Sequence, residues 1–329
     1  MLKNKTFKMA TIAVMVAGTL GFSTIVSAAT DIKAAFNQSD KHPQYLALEE
    51  FGQQLEKATD GRYKITIYPN ALLGDQRASL ELVQSGAVQM AVVANPLIEN
   101  YDNTFTAIGM PFAYTGIEHQ EKVFTSGALD ELFASTKKFG FEVLTAYTAG
   151  SRNIYTKNKN VESVADMKGQ KIRVMQSNTM VEMLSCMGGT GVPMSQGEVY
   201  TAVQQGVLDG GENNEITYAD MKHYEVAPYF SKTSHLMVPD LVVISNDFMN
   251  SIPVSDQALI RKIAKESTVD EFAKWNEKIG DARSLAESNG ATFLDVDVKL
   301  FQDNCKPLLK KLIKTDAQKE ITKIINEQG

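Results

Sequence analysis

Two arginines and one asparagine are the residues of this chain best suited to binding an anion. Arg152 and Arg173 lie at the ends of predicted strands, and Asn213 stands in a short run that contains glycine. A guanidinium group presents a planar fork of N–H donors that matches a carboxylate. No catalytic base is recognisable beside these residues. The set therefore favours capture of an organic acid over chemistry on it.

Arg173 has the best predicted position of the three. It lies near the end of the strand predicted at residues 171–175, and Ser177 can cap the helix that follows. Ligands of open α/β sheets bind beyond the carboxyl ends of strands, and a helix N-terminus attracts anions. The alternative is an arginine that is paired with an internal acid, because structural ion pairs are common.

The other candidate residues are weaker when each is taken alone. Arg152 reads as a loop arginine, and such residues are usually solvated. Asn213, close to glycines, is also typical of a turn. His42 enters a predicted helix, and Gln76 and Arg77 near another helix start are compatible with a surface position.

An alternation of helical and strand patterns predicts an α/β fold around these residues. Apolar and polar residues alternate over residues 63–68, and residues 88–94 form an almost continuous apolar run, as in a strand buried on both faces. A helical pattern capped by Ser255 runs to about Asn289. A helix of ~34 residues would be about 50 Å long, so we expect it to contact both halves of the protein.

The N-terminal segment predicts export from the cytoplasm. Residues 1–28 combine three lysines, an uncharged stretch and a small residue at the end of a cleavage site, which is typical of a signal peptide. Removing those lysines leaves 30 basic and 39 acidic residues, a net charge of −9. This charge argues against nucleic acid or an anionic membrane surface as a partner.

The cysteines and histidines show no metal-site pattern. Cys186 and Cys305 are the only cysteines, and an oxidising compartment permits a bridge between them, but two independent buried thiols are equally compatible with the sequence. None of the four histidines is paired at a metal-ligand spacing. We therefore expect no metal and no cofactor.

Several segments occur in a characteristic order along the chain. They are Leu73-Gly74-Asp75-Gln76-Arg77, Ala165-Asp166-Met167-Lys168-Gly169-Gln170-Lys171-Ile172-Arg173-Val174, Pro193-Met194, Glu198-Val199-Tyr200 and Val207-Leu208-Asp209-Gly210-Gly211-Glu212-Asn213. With these segments the chain resembles, from about residue 31 to residue 325, the extracytoplasmic solute-binding subunit of TRAP transporters, the DctP-type family.

The resemblance implies a two-domain α/β periplasmic-binding-protein clamp with chain crossovers and a long domain-bridging helix. We expect residues 29–149 with 239–278 in one domain and residues 150–238 with 279–329 in the other. It also implies a soluble periplasmic monomer that performs no reaction and delivers its ligand to a membrane permease. The expected ligand contacts are Arg173, which corresponds to the family's carboxylate clamp, with Arg152, Asn213, Asn153, Ser177, His42, Gln76, Arg77 and His235.

Some segments of the chain resemble one branch of this family, and this branch implies a narrower class of ligand. Segments such as Gly211-Glu212-Asn213-Asn214, together with His42-Pro43 and Asn153, are similar to the branch that binds acid sugars such as uronates and aldonates. Met175 and Ala78 stand where polar residues are expected in many uronate binders, so C4-dicarboxylates and other small organic acids remain alternatives. An exported enzyme acting on acidic sugars and a ligand sensor for a membrane receptor are the competing classes.

Overall fold

Eleven strands form two mixed sheets in the computed structural model, which describes residues 29–329. The first sheet has the order β2-β1-β3-β10-β4 and the second β11-β9-β5-β8-β6-β7. The strands are β1 (Thr30–Ala35), β2 (Tyr63–Tyr68), β3 (Met90–Ala94), β4 (Phe141–Thr148), β5 (Arg152–Thr156), β6 (Lys171–Val174), β7 (Thr190–Pro193), β8 (Gly210–Asn213), β9 (Tyr229–Leu236), β10 (Pro239–Ser245) and β11 (Thr292–Asp295). The predicted signal peptide lies outside the described residues.

Helices cover both sheets, which confirms the α/β class. They are α1 (Pro43–Ala58), α2 (Gln76–Gln84), α3 (Asn95–Ile98), α4 (Ile117–Thr125), α5 (Asp130–Ala134), α6 (Asn178–Cys186), α7 (Val199–Gln204), α8 (Glu215–Asp220), α9 (Asn246–Ser251), α10 (Val254–Ser288), α11 (Val298–Leu312) and α12 (Asp316–Gln328). None of these described helices combines the length and the apolar run that crossing a bilayer requires. We call the first sheet with its helices lobe 1 and the second sheet with its helices lobe 2.

The central strands of lobe 1 agree with the apolar pattern of the sequence. Every residue of β3, β4 and β10 is buried. Strand β10 comes late in the chain and inserts antiparallel between β3 and β4. The chain must therefore return from lobe 2 to complete the first sheet, and the predicted crossovers between lobes are confirmed.

The long helix α10 spans 35 residues and joins the two lobes. Ile260 and Ile263 pack in the core of lobe 1, whereas Trp275 and Ala282 pack in the core of lobe 2. The predicted cap is wrong, because the helix already begins at Val254 and its N-cap residue is Pro253. Proline holds an extended conformation before the first turn, so Ser255 lies inside the helix.

The last helix belongs to a different lobe from the one expected for residues 279–329. Ile321 and Ile325 of α12, which lie on one helical face, pack in the core of lobe 1. They cover the 3₁₀ segment Asn103–Gly109. The amphipathic pattern of this helix predicts an apolar face but does not indicate which lobe covers it. The remaining domain bounds stay a prediction.

Cys186 and Cys305 form a disulfide in lobe 2, with their Cα atoms 5.0 Å apart. Cys186 ends α6, and Cys305 lies within α11. Apolar residues of the two helices, including Met183 and Phe301, share one core, which brings the cysteines together across 119 residues of sequence. Of the two alternatives that the sequence left open, the structure therefore shows the disulfide bridge and not two separate thiols.

We expect loss of this bridge to lower stability without affecting the site. Replacing both cysteines by alanine releases a long loop in the unfolded chain and should lower the free energy of unfolding by about 2–5 kcal/mol. Urea unfolding of the double variant and of the oxidised wild type measures the difference. Ligand affinity should stay within about twofold, because neither cysteine lines the cavity described below. Equal stability would contradict the prediction.

Candidate ligand-binding site

A cavity of about 230 Å³ lies between the two lobes. It is bounded by the end of β3, the start of α2 and the helix-entry residue His42 on one side, and by strands β5, β6 and β8 on the other. Six of the nine predicted contacts line it: His42, Gln76, Arg77, Arg152, Arg173 and Asn213. The structure thus brings together polar residues that are up to 171 positions apart, from His42 to Asn213.

Arg173 carries an uncompensated charge in this cavity. Its side chain is buried, and its Nε donates a hydrogen bond to the carbonyl oxygen of Met194 at 2.8 Å. Among residues 29–329, no carboxylate lies within 4.0 Å of its guanidinium nitrogens. Burial lowers the pKa of Arg173, but an arginine remains protonated in proteins. A buried cation without a partner is costly unless an anion binds to it.

Arg152 is a buried structural arginine, and its prediction as a solvated loop residue is wrong. It begins β5, and the antiparallel pairing of β5 with β8 places it beside Glu212. Its Nε and one terminal nitrogen bind the Glu212 carboxylate at 2.5 and 2.8 Å, and the other terminal nitrogen binds Asn213 Oδ1 at 2.8 Å. Burial raises the pKa of Glu212, but Arg152 and His235 outweigh it and bring the pKa to about 2.

Three of the predicted contacts lie behind the cavity wall. Asn153 accepts a hydrogen bond from the Ser234 backbone at 2.9 Å, and His235 Nδ1 lies 2.8 Å from Thr233 Oγ1. Ser177 caps α6, as predicted, by accepting from the Met180 backbone at 3.4 Å. The structure does not bring Asn153, Ser177 or His235 to the lining of the cavity.

His42 presents a neutral imidazole to the cavity. It is the N-cap of α1, where its Nδ1 accepts from the backbone N–H of Gln44 at 3.3 Å. Burial, followed by the charge of Lys278, lowers the pKa of His42 to about 3. Because Nδ1 accepts, Nε2 carries the proton. Nε2 is buried and has no hydrogen-bond partner among the described residues, and the ring packs edge-on against Trp275.

Polar residues at the cavity mouth connect the two lobes. Gln38 of lobe 1 bonds Gln196 of lobe 2, with a distance of 2.9 Å from Gln196 Nε2 to Gln38 Oε1. Arg77 Nε donates to Gln176 Oε1 at 3.2 Å, also between lobes. The lobes are therefore in contact around the cavity. Sequence reasoning missed Gln38 and Gln196, because isolated glutamines carry no motif.

Asp240 is the most informative lining residue that sequence reasoning missed. It is the second residue of β10, it is buried, and it lines the cavity. Its Oδ2 accepts a hydrogen bond from Gln44 Nε2 at 2.9 Å. Burial raises the pKa of Asp240 to about 6, although Gln44 and Arg152 oppose the shift. An acid within an otherwise apolar buried strand was the signal that could have identified it.

His223 is buried behind the cavity wall, and its lowered pKa predicts that the stability of the protein depends on pH. Its Nδ1 lies 2.8 Å from the hydroxyl of Tyr155, and burial, with a smaller effect of Arg173, lowers its pKa to about 3. The unfolded chain binds this proton below about pH 6.5, whereas the folded protein does not. The contribution of His223 is therefore present above pH 6.5 and is lost as the pH falls.

We expect the stability difference between wild type and His223→Gln to shrink on acidification. Between pH 6.5 and 5 the difference in unfolding free energy should fall by roughly 2 kcal/mol, at about 1.4 kcal/mol per pH unit. Urea unfolding of both proteins across this range measures it, and effects of other titrating groups cancel in the comparison. A constant difference would show that the folded protein accepts this proton.

Comparisons with known proteins agree with this architecture. The profile of the family described as "Bacterial extracellular solute-binding protein, family 7", or DctP, matches residues 34–316. A TRAP periplasmic solute-binding protein from Bradyrhizobium sp. BTAi1, crystallised with α/β-D-galacturonate, is 31% identical, with a TM-score of 0.88 over 91% of this chain and 100% of that one.

Two further proteins extend the comparison. A TRAP periplasmic solute-binding protein from Anaerococcus prevotii with bound α/β-D-glucuronate is 34% identical, with a TM-score of 0.87 over 91% of this chain and 98% of that one. The sialic acid-binding periplasmic protein SiaP of Vibrio cholerae is 27% identical over 97% of this chain and 99% of its own. The profile match over most of the chain, with these full-length similarities and the two-lobed cavity, shows that the chain belongs to the DctP family of bacterial extracellular solute-binding proteins and is a solute-binding protein of the TRAP type.

Proposed function

We propose that this protein binds a hexuronate, such as D-glucuronate or D-galacturonate, in the periplasm and delivers it to a TRAP membrane permease. The observation that carries the proposal is the buried guanidinium of Arg173, which has a free binding face in the cavity and no acidic partner among residues 29–329. The ligand carboxylate binds this guanidinium through paired hydrogen bonds.

Neutral polar groups of the cavity suit the hydroxyl groups of a sugar. His42 contributes a neutral imidazole to the lining. Asn213 Oδ1 is already occupied by Arg152 and Asn214, so its amide N–H groups are the part of this side chain available to a ligand. Gln38 and Gln196 add amide groups at the mouth. Such a set binds a polyhydroxy acid better than a short dicarboxylate, which has few hydroxyl groups to satisfy it.

The similar structures support the same ligand class. The relatives from Bradyrhizobium and Anaerococcus were crystallised with galacturonate and glucuronate, at 31% and 34% identity to this chain. The protein acts as a monomer and carries out no reaction on the bound acid. Membership of a solute-binding family and contact between the lobes around the cavity support capture and release as its activity.

Calorimetric titration of the purified protein tests the proposal. D-glucuronate and D-galacturonate are compared with D-gluconate, with succinate and malate as C4-dicarboxylates, and with neutral D-glucose. We expect at least one uronate to bind and D-glucose not to bind, because glucose has no carboxylate for Arg173. Thermal shifts should rank the acids alike, since a ligand of the native state raises its stability. Binding of the C4-dicarboxylates alone would overturn the uronate assignment.

Nuclear magnetic resonance of the same mixtures tests the absence of a reaction. The spectra of the uronates should remain unchanged after prolonged incubation with stoichiometric protein. Appearance of an unsaturated or ring-opened product would instead identify an exported enzyme.

A further inference from the structure

Asp240 is a buried carboxyl group that no cation neutralises directly. Its side chain faces the same cavity as Arg173 but from the opposite lobe, because Asp240 lies on β10 and Arg173 on β6. Only 7% of the residue is exposed, and no lysine, arginine or histidine of residues 29–329 lies within 4.0 Å of its oxygens. Such a group is costly to bury without hydrogen-bond donors.

A chain of hydrogen bonds holds Asp240 in one orientation. Gln44 Nε2 donates to Asp240 Oδ2 at 2.9 Å and to the carbonyl oxygen of Thr148 at 2.7 Å. The backbone N–H of Thr148 in turn donates to Glu271 Oε2 at 2.9 Å. Asp240 Oδ1 receives no hydrogen bond within the described residues, and it is not among the buried atoms that lack a partner. This oxygen is therefore available to a group inside the cavity.

We infer that Asp240 determines the ligand specificity of the site by accepting hydrogen bonds from sugar hydroxyl groups and by excluding ligands that carry a second carboxylate. The inference rests on the proposed function, because it concerns the end of the sugar away from the carboxylate on Arg173. It selects uronates against the corresponding aldarates, which carry a second carboxylate at C1 in place of the aldehyde and therefore also lack the pyranose ring. A carboxylate accepts several hydroxyl donors but repels another carboxylate.

The surrounding charges do not relieve this repulsion. Arg152 is the cation whose charge acts on Asp240, but it is already paired with Glu212. From α10, Glu271 adds a second buried acid, and its own pKa is raised well above the ordinary value by burial and, to a smaller degree, by Asp240. His42 on the α1 side is neutral. A second ligand carboxylate would meet acids and neutral groups at this wall.

Two uronate–aldarate pairs test the inference at pH 8, where Asp240 is ionised. Titration calorimetry compares D-glucuronate with D-glucarate, and D-galacturonate with D-galactarate, on wild type and Asp240→Asn. We expect the wild type to prefer the uronate by about 100-fold or more, corresponding to about 3 kcal/mol. In Asp240→Asn the preference should fall by about tenfold or more, because the amide can donate to the second carboxylate.

Glu142→Gln is the matched control, because Glu142 is a buried acid of the same sheet that bonds Arg261 and does not line the cavity. Its thermal stability should change while the uronate-to-aldarate ratio stays at the wild-type value. Because uronates and aldarates also differ in ring form, the change in this ratio on removal of the Asp240 charge is the decisive result, and Asp240→Ser replaces Asp240→Asn if that variant does not fold. The inference about Asp240 is overturned if the wild type binds a uronate and its aldarate equally well. It is also overturned if the uronate-to-aldarate ratio is unchanged in folded Asp240→Asn. Neither result affects the proposal that the protein binds a uronate. A wild type that binds neither uronate overturns the proposed function as well.

Discussion

Arg173→Ala is expected to weaken uronate binding by between about 30-fold and several thousand-fold. Removing one partner of a desolvated, hydrogen-bonded charge pair costs roughly 2–5 kcal/mol, and each 1.4 kcal/mol is about tenfold in affinity. In the free protein Arg173 has no acidic partner among the described residues, so its loss leaves no buried charge behind. The unliganded variant should therefore be folded and as stable as the wild type.

Two further variants separate charge from geometry in this prediction. Arg173→Lys retains a positive charge but cannot reproduce the planar pair of donors, so we expect its affinity to stay well below that of the wild type. Arg77→Ala is the matched control, because Arg77 also lines the cavity but is exposed and bonded to Gln176. Its effect should be smaller, since solvent screens an exposed charge.

Calorimetric titration of all three variants with the best uronate decides the assignment. Wild-type affinity in a folded Arg173→Ala protein would remove Arg173 from the carboxylate site. A larger effect of Arg77→Ala than of Arg173→Ala would move the site to the mouth of the cavity.

Arg152→Ala should lower the free energy of unfolding by about 3–5 kcal/mol, because it leaves the buried Glu212 carboxylate without its main partner. This expectation differs from the small effect that a solvated loop arginine would have. Urea unfolding measures it. The loss should shrink as the pH falls from about 4.5 towards 2, because the stabilisation from Glu212 is present above its unfolded pKa and is lost through its folded pKa of about 2.

The double variant Arg152→Met with Glu212→Gln tests the same explanation. Removing both charges avoids the uncompensated carboxylate, so the double variant should be more stable than Arg152→Ala. His235, 3.5 Å from the Glu212 carboxylate, gives a neutral glutamine a second polar neighbour. A double variant no more stable than Arg152→Ala would show that the arginine acts through packing rather than through its ion pair.

The features that the sequence by itself determined are those repeated along consecutive residues. Alternating and continuous apolar runs identified strands such as β2 and β3, and an uninterrupted helical period identified α10. The order of short segments placed the chain in its family, which the comparisons confirm. Arg173 was predicted at the cavity because its strand and the following helix cap are adjacent in sequence. Period and adjacency are local properties, and a sequence displays them directly.

Only the tertiary structure decided which distant side chains meet. The sequence ranks Arg173 above Arg152 but does not reveal the partner of either. The pairing of β5 with β8 gives Glu212 to Arg152, whereas Arg173 has no acidic partner among the described residues. The insertion of β10 into the first sheet brings Asp240 to the cavity, and the packing of α6 against α11 closes the disulfide between Cys186 and Cys305. These outcomes depend on strand order and on contacts between helices, which fix partners far apart in the chain and leave no periodic signal in it.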